Sequence, residues 1–144
     1  MRRNSLLKSI IIITTVCILL CSCNSSKIIE YYSQKENYIS VTGTVTSMKY
    51  NEDDTVLYVD FSELSSVFDD TCFKIVGENL EIVNANKIAD KLKIGEQVTF
   101  ITAPKYFGDG YVIPIVAISI NGENLLDFEE GYGNLLDWLK QDKM

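Results

Sequence analysis

The chain has 144 residues, 47% of them hydrophobic, and a net charge of −7 at pH 7. It contains no histidine, which excludes a His-containing catalytic triad and a histidine metal site. The acidic balance disfavours binding to nucleic acid and to anionic membrane surfaces, because both repel a negatively charged domain.

The N-terminus has the order typical of an export signal, with positive charge first, then an apolar run, then small polar residues. Arg2, Arg3 and Lys8 precede the apolar run, which extends over residues 9–20. This run is shorter than the roughly 18–20 residues that cross a bilayer. Its length therefore favours a cleaved signal over the alternative, a retained transmembrane anchor.

The segment Leu20-Cys21-Ser22-Cys23 follows the apolar run and resembles a bacterial lipobox, where signal peptidase cuts a lipoprotein precursor before a lipid-modified cysteine. The resemblance implies a signal peptide over residues 1–22 and a diacylglycerol on Cys23, whose acyl chains give a stable anchor. Cys21 is the less favoured acceptor, because Leu20 would then occupy the −1 position, where a small residue is preferred. The expected location is the cell membrane, with the protein lipid-anchored and facing outside the cytoplasm.

Cleavage at this site removes three basic residues and no acidic one, so the net charge of −7 becomes about −10. The remaining chain is long enough for one domain with its own core. Cys17 and Cys21 lie in the removed peptide and Cys23 takes the lipid, so Cys72 has no partner for an intramolecular disulfide. Cys72 belongs to a strand-like run, and we expect a buried, inert thiol.

Residues 23–37 are predicted to be a polar tether, in which a few apolar residues offer a short helix against the domain. The folded part is predicted to begin near Tyr38. Alternation of apolar and polar residues predicts a first strand from Ile39, and a change of parity predicts a β-bulge near Thr46-Ser47. The further predicted strands cover residues 55–61, 72–76, 97–103, 111–120 and 124–128.

Proline and glycine refine this assignment. Pro114, inside the fifth predicted strand, implies an edge position or a bulge there. Asn121-Gly122 predicts a tight hairpin between the last two strands. Helical periodicity predicts a helix over residues 84–92 with Asn84 as its N-cap. Residues 129–133 are predicted to be a hinge before a C-terminal helix.

A bent first strand, with a helix between the third and fourth strands, makes residues 38–128 resemble an OB-fold, the five-stranded Greek-key barrel. The predicted fold of residues 38–144 is therefore mainly β, a small five- to six-stranded OB-like barrel with one helix between strands 3 and 4 and a C-terminal helix. A different small barrel or an α+β sheet is the alternative. A lipobox followed by an OB-like domain also resembles uncharacterised lipoproteins of Gram-positive bacteria.

OB-folds bind ligands on the face of strands two and three, where this sequence offers Tyr58, Asp60 and Lys74. The acidic first loop has the wrong sign for nucleic acid. Two acidic loops, residues 53–54 and 69–70, lack the spacing of a calcium-binding loop, and solvated turns are the expectation. We expect no catalytic residue, no metal site and no cofactor.

The most suggestive surface candidate is the glycine-containing loop over residues 106–111, which carries Tyr106, Phe107 and Tyr111. Aromatic side chains on such a loop can stack on a sugar or anchor a protein partner. The alternative is that these rings cover one end of the barrel, with Tyr132 and Trp138 beside them. The sequence thus predicts a non-enzymatic binding module for a protein or glycan of the cell envelope. An accessory subunit of an exported complex and a small hydrolase are the alternatives.

Overall fold

A computed structural model describes residues 27–64, 68, 72–105 and 113–141. Within these ranges the fold is mainly β, with the strands in one sheet. The helices are α1 over residues 27–32, α2 over Gly77–Ala85 and α3 over Phe128–Lys140, and a 3-10 turn covers Lys35–Asn37. The strands are β1 Ile39–Tyr50, β2 Val56–Ser62, β3 Phe73–Val76, β4 Gln97–Thr102, β5 Ile113–Ile120 and β6 Glu123–Leu126.

The strands are hydrogen-bonded in the order β3-β2-β1-β4-β5-β6, and β3 also pairs with β5. This additional pairing joins β1, β2, β3, β5 and β4 into a ring. Neighbours in the ring are antiparallel except β3 and β5, which run parallel with Phe73 opposite Ile113. The ring, with a helix between β3 and β4 and a helix after β6, confirms the predicted OB-like fold.

The first strand pairs with two neighbouring strands because it bends at a β-bulge. Its first half pairs with β4, from Ile39 opposite Thr102 to Thr44 opposite Gln97, and its second half pairs with β2. The register shifts between Val45 and Ser47, which confirms the bulge predicted there. A bulge increases the local twist, and the added twist lets one long strand curl around the ring.

The interior of the ring is the inner core. Alternate residues of the strands point inward, and Leu57, Val59, Phe73, Ile75 and Phe100 are at most 1% exposed. Phe73 makes edge contacts with the rings of two other phenylalanines at centroid distances of 5.5 and 4.9 Å. Burial of each such side chain contributes about 1.5–3 kcal/mol, so this cluster is a main source of stability.

The helix between β3 and β4 lies earlier than predicted. Of residues 84–92, assigned to a helix from their periodicity, those from 86 onwards form turns after α2, in which Ile88 and Leu92 are buried. Strand β3 ends at Val76, and the φ of +57° at Gly77 lets the chain turn directly from β3 into α2. Asn84 is not an N-cap; its side chain accepts a hydrogen bond from the Tyr50 hydroxyl at 2.6 Å.

The C-terminal helix also begins earlier than predicted. Asp127 is its N-cap, and its carboxylate accepts from the backbone N–H of Glu129 at 2.9 Å. The predicted hinge over residues 129–133 is therefore wrong, and both of its glycines are helical. Gly131 is required by close packing, since a Cβ there would overlap the backbone oxygen of Val116.

A second cluster, the outer core, lies outside the ring, where α1 and α3 pack on the outward side of the strands. Its buried members are Ile28, Tyr32, Val76, Ala103, Val116, Leu135 and Leu139. Strand β5 contributes to both cores, because Ile115 and Ile118 point inward whereas Val116 lies outside. The β4–β5 register shifts there, so Pro114 lies beside a bulge, as its position in the strand predicted.

Residues 27–37, predicted to belong to the tether, pack against the domain. Ile28 and Tyr32 are only 3% and 4% exposed. The Tyr132 hydroxyl donates to the Ser33 carbonyl at 2.7 Å, and the Tyr38 hydroxyl donates to the Tyr32 carbonyl at 2.9 Å. The folded unit therefore extends N-terminally beyond Tyr38. Among the described residues, no helix has the length and apolar character needed to cross a membrane.

Candidate functional site

The aromatic loop and the lipidation candidate lie outside the described residues, which applies to Tyr106, Phe107, Tyr111 and Cys23. The described residues on either side of the loop are Lys105 and Ile113.

These two flanking residues fix where the chain leaves and rejoins the described domain. The Lys105 ammonium lies 5.1 Å from the centroid of the Tyr31 ring in α1. Ile113 pairs with Phe73 at the start of β3. Lys105 therefore lies next to α1, and Ile113 lies next to the start of β3.

The structure brings together the three residues predicted on the face of strands two and three. Because the neighbouring residues of β2 and β3 point into the inner core, Tyr58, Asp60 and Lys74 point outward. Tyr58 is directly opposite Lys74 in the antiparallel register. All three side chains are partly exposed. This outward surface of β2 and β3 is called the β2–β3 face below.

Trp138 of α3 borders the β2–β3 face. The Lys74 ammonium lies 5.2 Å from the centroid of the Trp138 ring, a cation–π contact that offsets part of its lost hydration. Burial lowers the pKa of Lys74. A Cβ on Gly77 would lie 2.7 Å from Trp138 Cδ1. Trp138 therefore packs outside the ring between β3 and α2, whereas the sequence offered it as part of a cover over the end of the barrel.

Tyr132, the other residue of that predicted cover, lies at the edge of the outer core. Its ring makes edge contact with Tyr38 at a centroid distance of 5.5 Å, and it also contacts Phe128. The Lys35 ammonium lies 5.1 Å from the Tyr132 ring centroid and forms an ion pair with Glu129. Tyr132 thus holds the segment after α1 against α3.

Cys72 lies at the edge of the β2–β3 face. It is a free thiol and is partly exposed, not buried as the strand pattern predicted. Burial of the sulfur, together with its hydrogen bond to Asp60 and the negative charge of that residue, raises the pKa of Cys72 to about 12. The thiol is therefore neutral at physiological pH and is a poor nucleophile.

An open cleft of about 200 Å³ lies between α2 and α3, next to Trp138. Its lining includes Glu78, Glu81, Asn134, Asp137, Trp138 and Gln141. The cleft is smaller than the pockets that enclose drug-sized ligands. Its carboxylates and amides instead suit hydrogen bonds to the hydroxyl or ammonium groups of a ligand that lies across the surface.

A buried asparagine fixes the two helices that form this cleft. Asn79, which is 1% exposed, donates from Nδ2 to the carbonyl oxygen of Gly131 at 2.8 Å. Its Oδ1 accepts from Asn134 Nδ2 at 3.0 Å. Because a buried amide is costly to leave unsatisfied, these bonds favour one relative placement of α2 and α3. The sequence pattern did not single out Asn79, because its partners Gly131 and Asn134 are distant in sequence.

Within the described ranges, no group of three or more histidine, cysteine, aspartate or glutamate side chains is placed to hold a metal ion. Asp53 and Asp54 lie in the exposed turn between β1 and β2, whereas residues 69–70 fall outside the described chain. No protein-family model, curated protein or solved structure matches this chain. The geometry of the β2–β3 face is therefore the basis for a functional proposal.

Proposed function

We propose that this protein is a lipoprotein anchored through Cys23 outside the cytoplasm, and that its OB-like domain is a non-enzymatic binding module. The proposed ligand is a protein or glycan of the cell envelope. The observation that carries the proposal is the β2–β3 face, where Tyr58, Lys74 and Trp138 combine aromatic and charged groups at a partly exposed surface.

The position of this face in the fold supports a binding role. OB-folds bind oligonucleotides or oligosaccharides on strands two and three, with help from the loop between strands four and five. Here that loop contains Tyr106, Phe107 and Tyr111. Ile113, which follows the loop at the start of β5, pairs with Phe73 of β3. An acidic domain repels nucleic acid, which leaves a glycan or a protein as the ligand.

The anchor is tested by replacing its acceptor. We expect Cys23→Ala to give an unprocessed precursor or a released protein, because no lipid can then be attached. Cys21→Ala is the matched control and should still be processed and recovered with membranes. A Cys23→Ala protein that fractionates with membranes after signal cleavage would contradict the lipobox interpretation.

Binding is tested with the soluble 24–144 fragment as bait against the protein and glycan fractions of an envelope extract. Single alanine substitutions at Tyr58 and Phe107 should each weaken capture by about 1–2 kcal/mol, or roughly 5- to 30-fold. Thr42→Ala, on the outward side of β1 away from β2 and β3, is the matched control and should bind like the parent fragment.

The aromatic loop has a competing structural explanation that the same variants test. If Phe107 covers the end of the ring, Phe107→Ala should destabilise the fragment by more than about 3 kcal/mol, the scale for a core phenylalanine. If Phe107 is instead a contact residue for the ligand, thermal melts of Phe107→Ala should be nearly unchanged while binding is lost. Unchanged binding with an unchanged melt would remove Phe107 from the proposed surface.

A further inference from the structure

Helix α1 begins a short distance from the proposed lipid. Three residues, Asn24, Ser25 and Ser26, separate Cys23 from Lys27, the first described residue of α1. Even fully extended, the four steps from Cys23 to Lys27 span at most about 14 Å. This limit depends only on the length of the chain between the two residues.

From this distance we propose that the domain rests against the bilayer, with α1 at the lipid headgroups. The inference depends on the proposed lipidation of Cys23. The polar layer of each leaflet is about 5–8 Å thick. At most about 9 Å of the spacer then remains beyond the headgroups, which is less than the roughly 10–12 Å diameter of a helix. The side of the domain that carries α1 therefore faces the bilayer surface.

The orientation of the whole domain follows from that of α1, because α1 is packed into the outer core. Ile28 and Tyr32 are buried, and the Tyr132 hydroxyl binds the Ser33 carbonyl. The Tyr32 hydroxyl also donates to the Lys105 carbonyl at 3.4 Å. A lipid attached four residues before α1 thus restrains the ring as well as the helix.

The two ends of β4 show which parts lie near the membrane and which lie far from it. Thr102 is at the end close to Lys105 and α1, and Gln97 is about 17 Å away at the other end. Lys93 lies beyond Gln97, where its carbonyl accepts from the Glu96 backbone N–H at 2.9 Å. Lys93 is therefore a suitable distal reference position.

The side chains on the α1 side suit a headgroup layer. Lys27 and Lys105 are exposed, and the Lys105 ammonium lies 5.1 Å from the Tyr31 ring centroid. Lysine and tyrosine both place an apolar stem or ring beside lipid while their polar ends stay in water. Glu30 is the acidic residue exposed on α1. Although the net charge of the whole domain is negative, these lysines make this surface less repulsive to anionic lipid than the acidic turn between β1 and β2.

The experiment uses the mature lipoprotein reconstituted in vesicles that carry a quencher on the lipid headgroup. A fluorophore is attached to Glu30→Cys or to Lys93→Cys, each in a Cys72→Ala background, and Trp138 fluorescence verifies folding. We expect strong quenching of the label at residue 30 and much weaker quenching at residue 93. Equal quenching of the two labels in vesicle-bound protein would overturn the inference.

A variant with a longer spacer tests whether the short spacer, and not the lipid anchor alone, sets this orientation. Insertion of about ten glycine and serine residues between Ser26 and Lys27 adds roughly 17 Å of r.m.s. reach. The difference between the two labels should then be lost while the protein still floats with the vesicles. A difference that persists at full size would show that the short spacer does not set the orientation. Protein that fails to float with vesicles would overturn the lipidation of Cys23 and this inference together.

Discussion

The inner and outer cores bury apolar residues in two different ways. The inner core is formed by alternate residues of strands that pair around a ring, and its members, such as Leu57 and Phe73, are fully buried. The outer core is formed where α1 and α3 pack on the outward side of those strands. The first depends on local alternation, whereas the second depends on how helices distant in sequence are placed on the sheet.

Strand β5 connects the two cores. Ile115 and Ile118 belong to the inner core, and Val116 belongs to the outer core at the bulge between them. A change in one core is therefore transmitted to the other through the backbone of β5. This shared strand predicts that the two cores unfold in one transition.

The largest expected effect is that of removing an aromatic ring from the inner core. Phe73 is fully buried and contacts Phe61, Phe68 and Phe100, so Phe73→Ala should cost about 4 kcal/mol in free energy of unfolding. Urea unfolding should be followed both by far-UV circular dichroism and by the fluorescence of Trp138, which lies in the outer core. The two midpoints should fall together.

A different unfolding midpoint for Trp138 fluorescence would contradict this prediction, since the outer core would then unfold independently of the inner core. Tyr58→Ala is the matched control on β2, because this side chain points outward and is partly exposed. Its free energy of unfolding should change much less than that of Phe73→Ala.

The next largest effect concerns the contact of α3 with β5. A Cβ on Gly131 would overlap the Val116 backbone oxygen, so Gly131→Ala forces the helix away and should cost about 3 kcal/mol. Gly133, two residues later in α3, has nothing within 4 Å of the same added atom. Gly133→Ala should be neutral or stabilising by up to about 1 kcal/mol, because alanine favours helix. Equal effects of the two substitutions in thermal melts would contradict the close contact.

The ring was predictable from sequence because its signals are local. The alternation after Ile39, the parity change at the bulge and the Asn121-Gly122 turn each act over a few residues. Asn121 and Gly122 both have positive φ, 52° and 80°, as a tight hairpin of this kind requires. The helix boundaries were wrong because neither the start of α2 at Gly77 nor the helical position of Gly131 was indicated by the sequence pattern. Their actual roles depend on contacts with Trp138 and Val116 that no local pattern contains.

The candidate site was predictable to the same limited extent. The outward direction of Tyr58, Asp60 and Lys74 follows from the alternation of strands, and the structure places them together. The cleft between α2 and α3 could not be predicted, because it depends on the angle at which α3 packs. That angle is fixed by Asn79, whose partners Gly131 and Asn134 are distant in sequence.

A smaller effect tests whether α1 belongs to the outer core. Ile28 is buried there, so Ile28→Ala should cost about 2 kcal/mol in free energy of unfolding. Glu30→Ala, at an exposed position of the same helix, is the control and should change stability by less than about 0.5 kcal/mol. The measurement is urea unfolding of the soluble fragment 24–144. If Ile28→Ala is as stable as the parent fragment, residues 27–37 act as a tether and contribute nothing to the outer core.

The smallest expected effect on stability is at Cys72, which lies at the edge of the β2–β3 face. Its pKa is raised from 9.0 to about 12, first by burial and then by Asp60. At pH 8 the thiolate fraction should therefore be lower than in the unfolded chain by about three orders of magnitude, and alkylation by iodoacetamide should slow accordingly. Mass spectrometry of the 24–144 fragment, in which Cys72 is the sole cysteine, measures both rates.

The same pKa shift fixes the sign of a pH effect. The folded state retains the Cys72 proton above pH 9 whereas the unfolded state loses it, so the stabilisation is complete below pH 9 and is lost as the pH rises towards 12. Cys72→Ala has no thiol to titrate, so its free energy of unfolding should fall less between pH 9 and pH 12 than that of the parent fragment. Asp60→Asn should accelerate alkylation only in part, because burial is the larger cause. Alkylation that is equally fast in native and urea-unfolded fragment would show that this edge of the face is open to solvent.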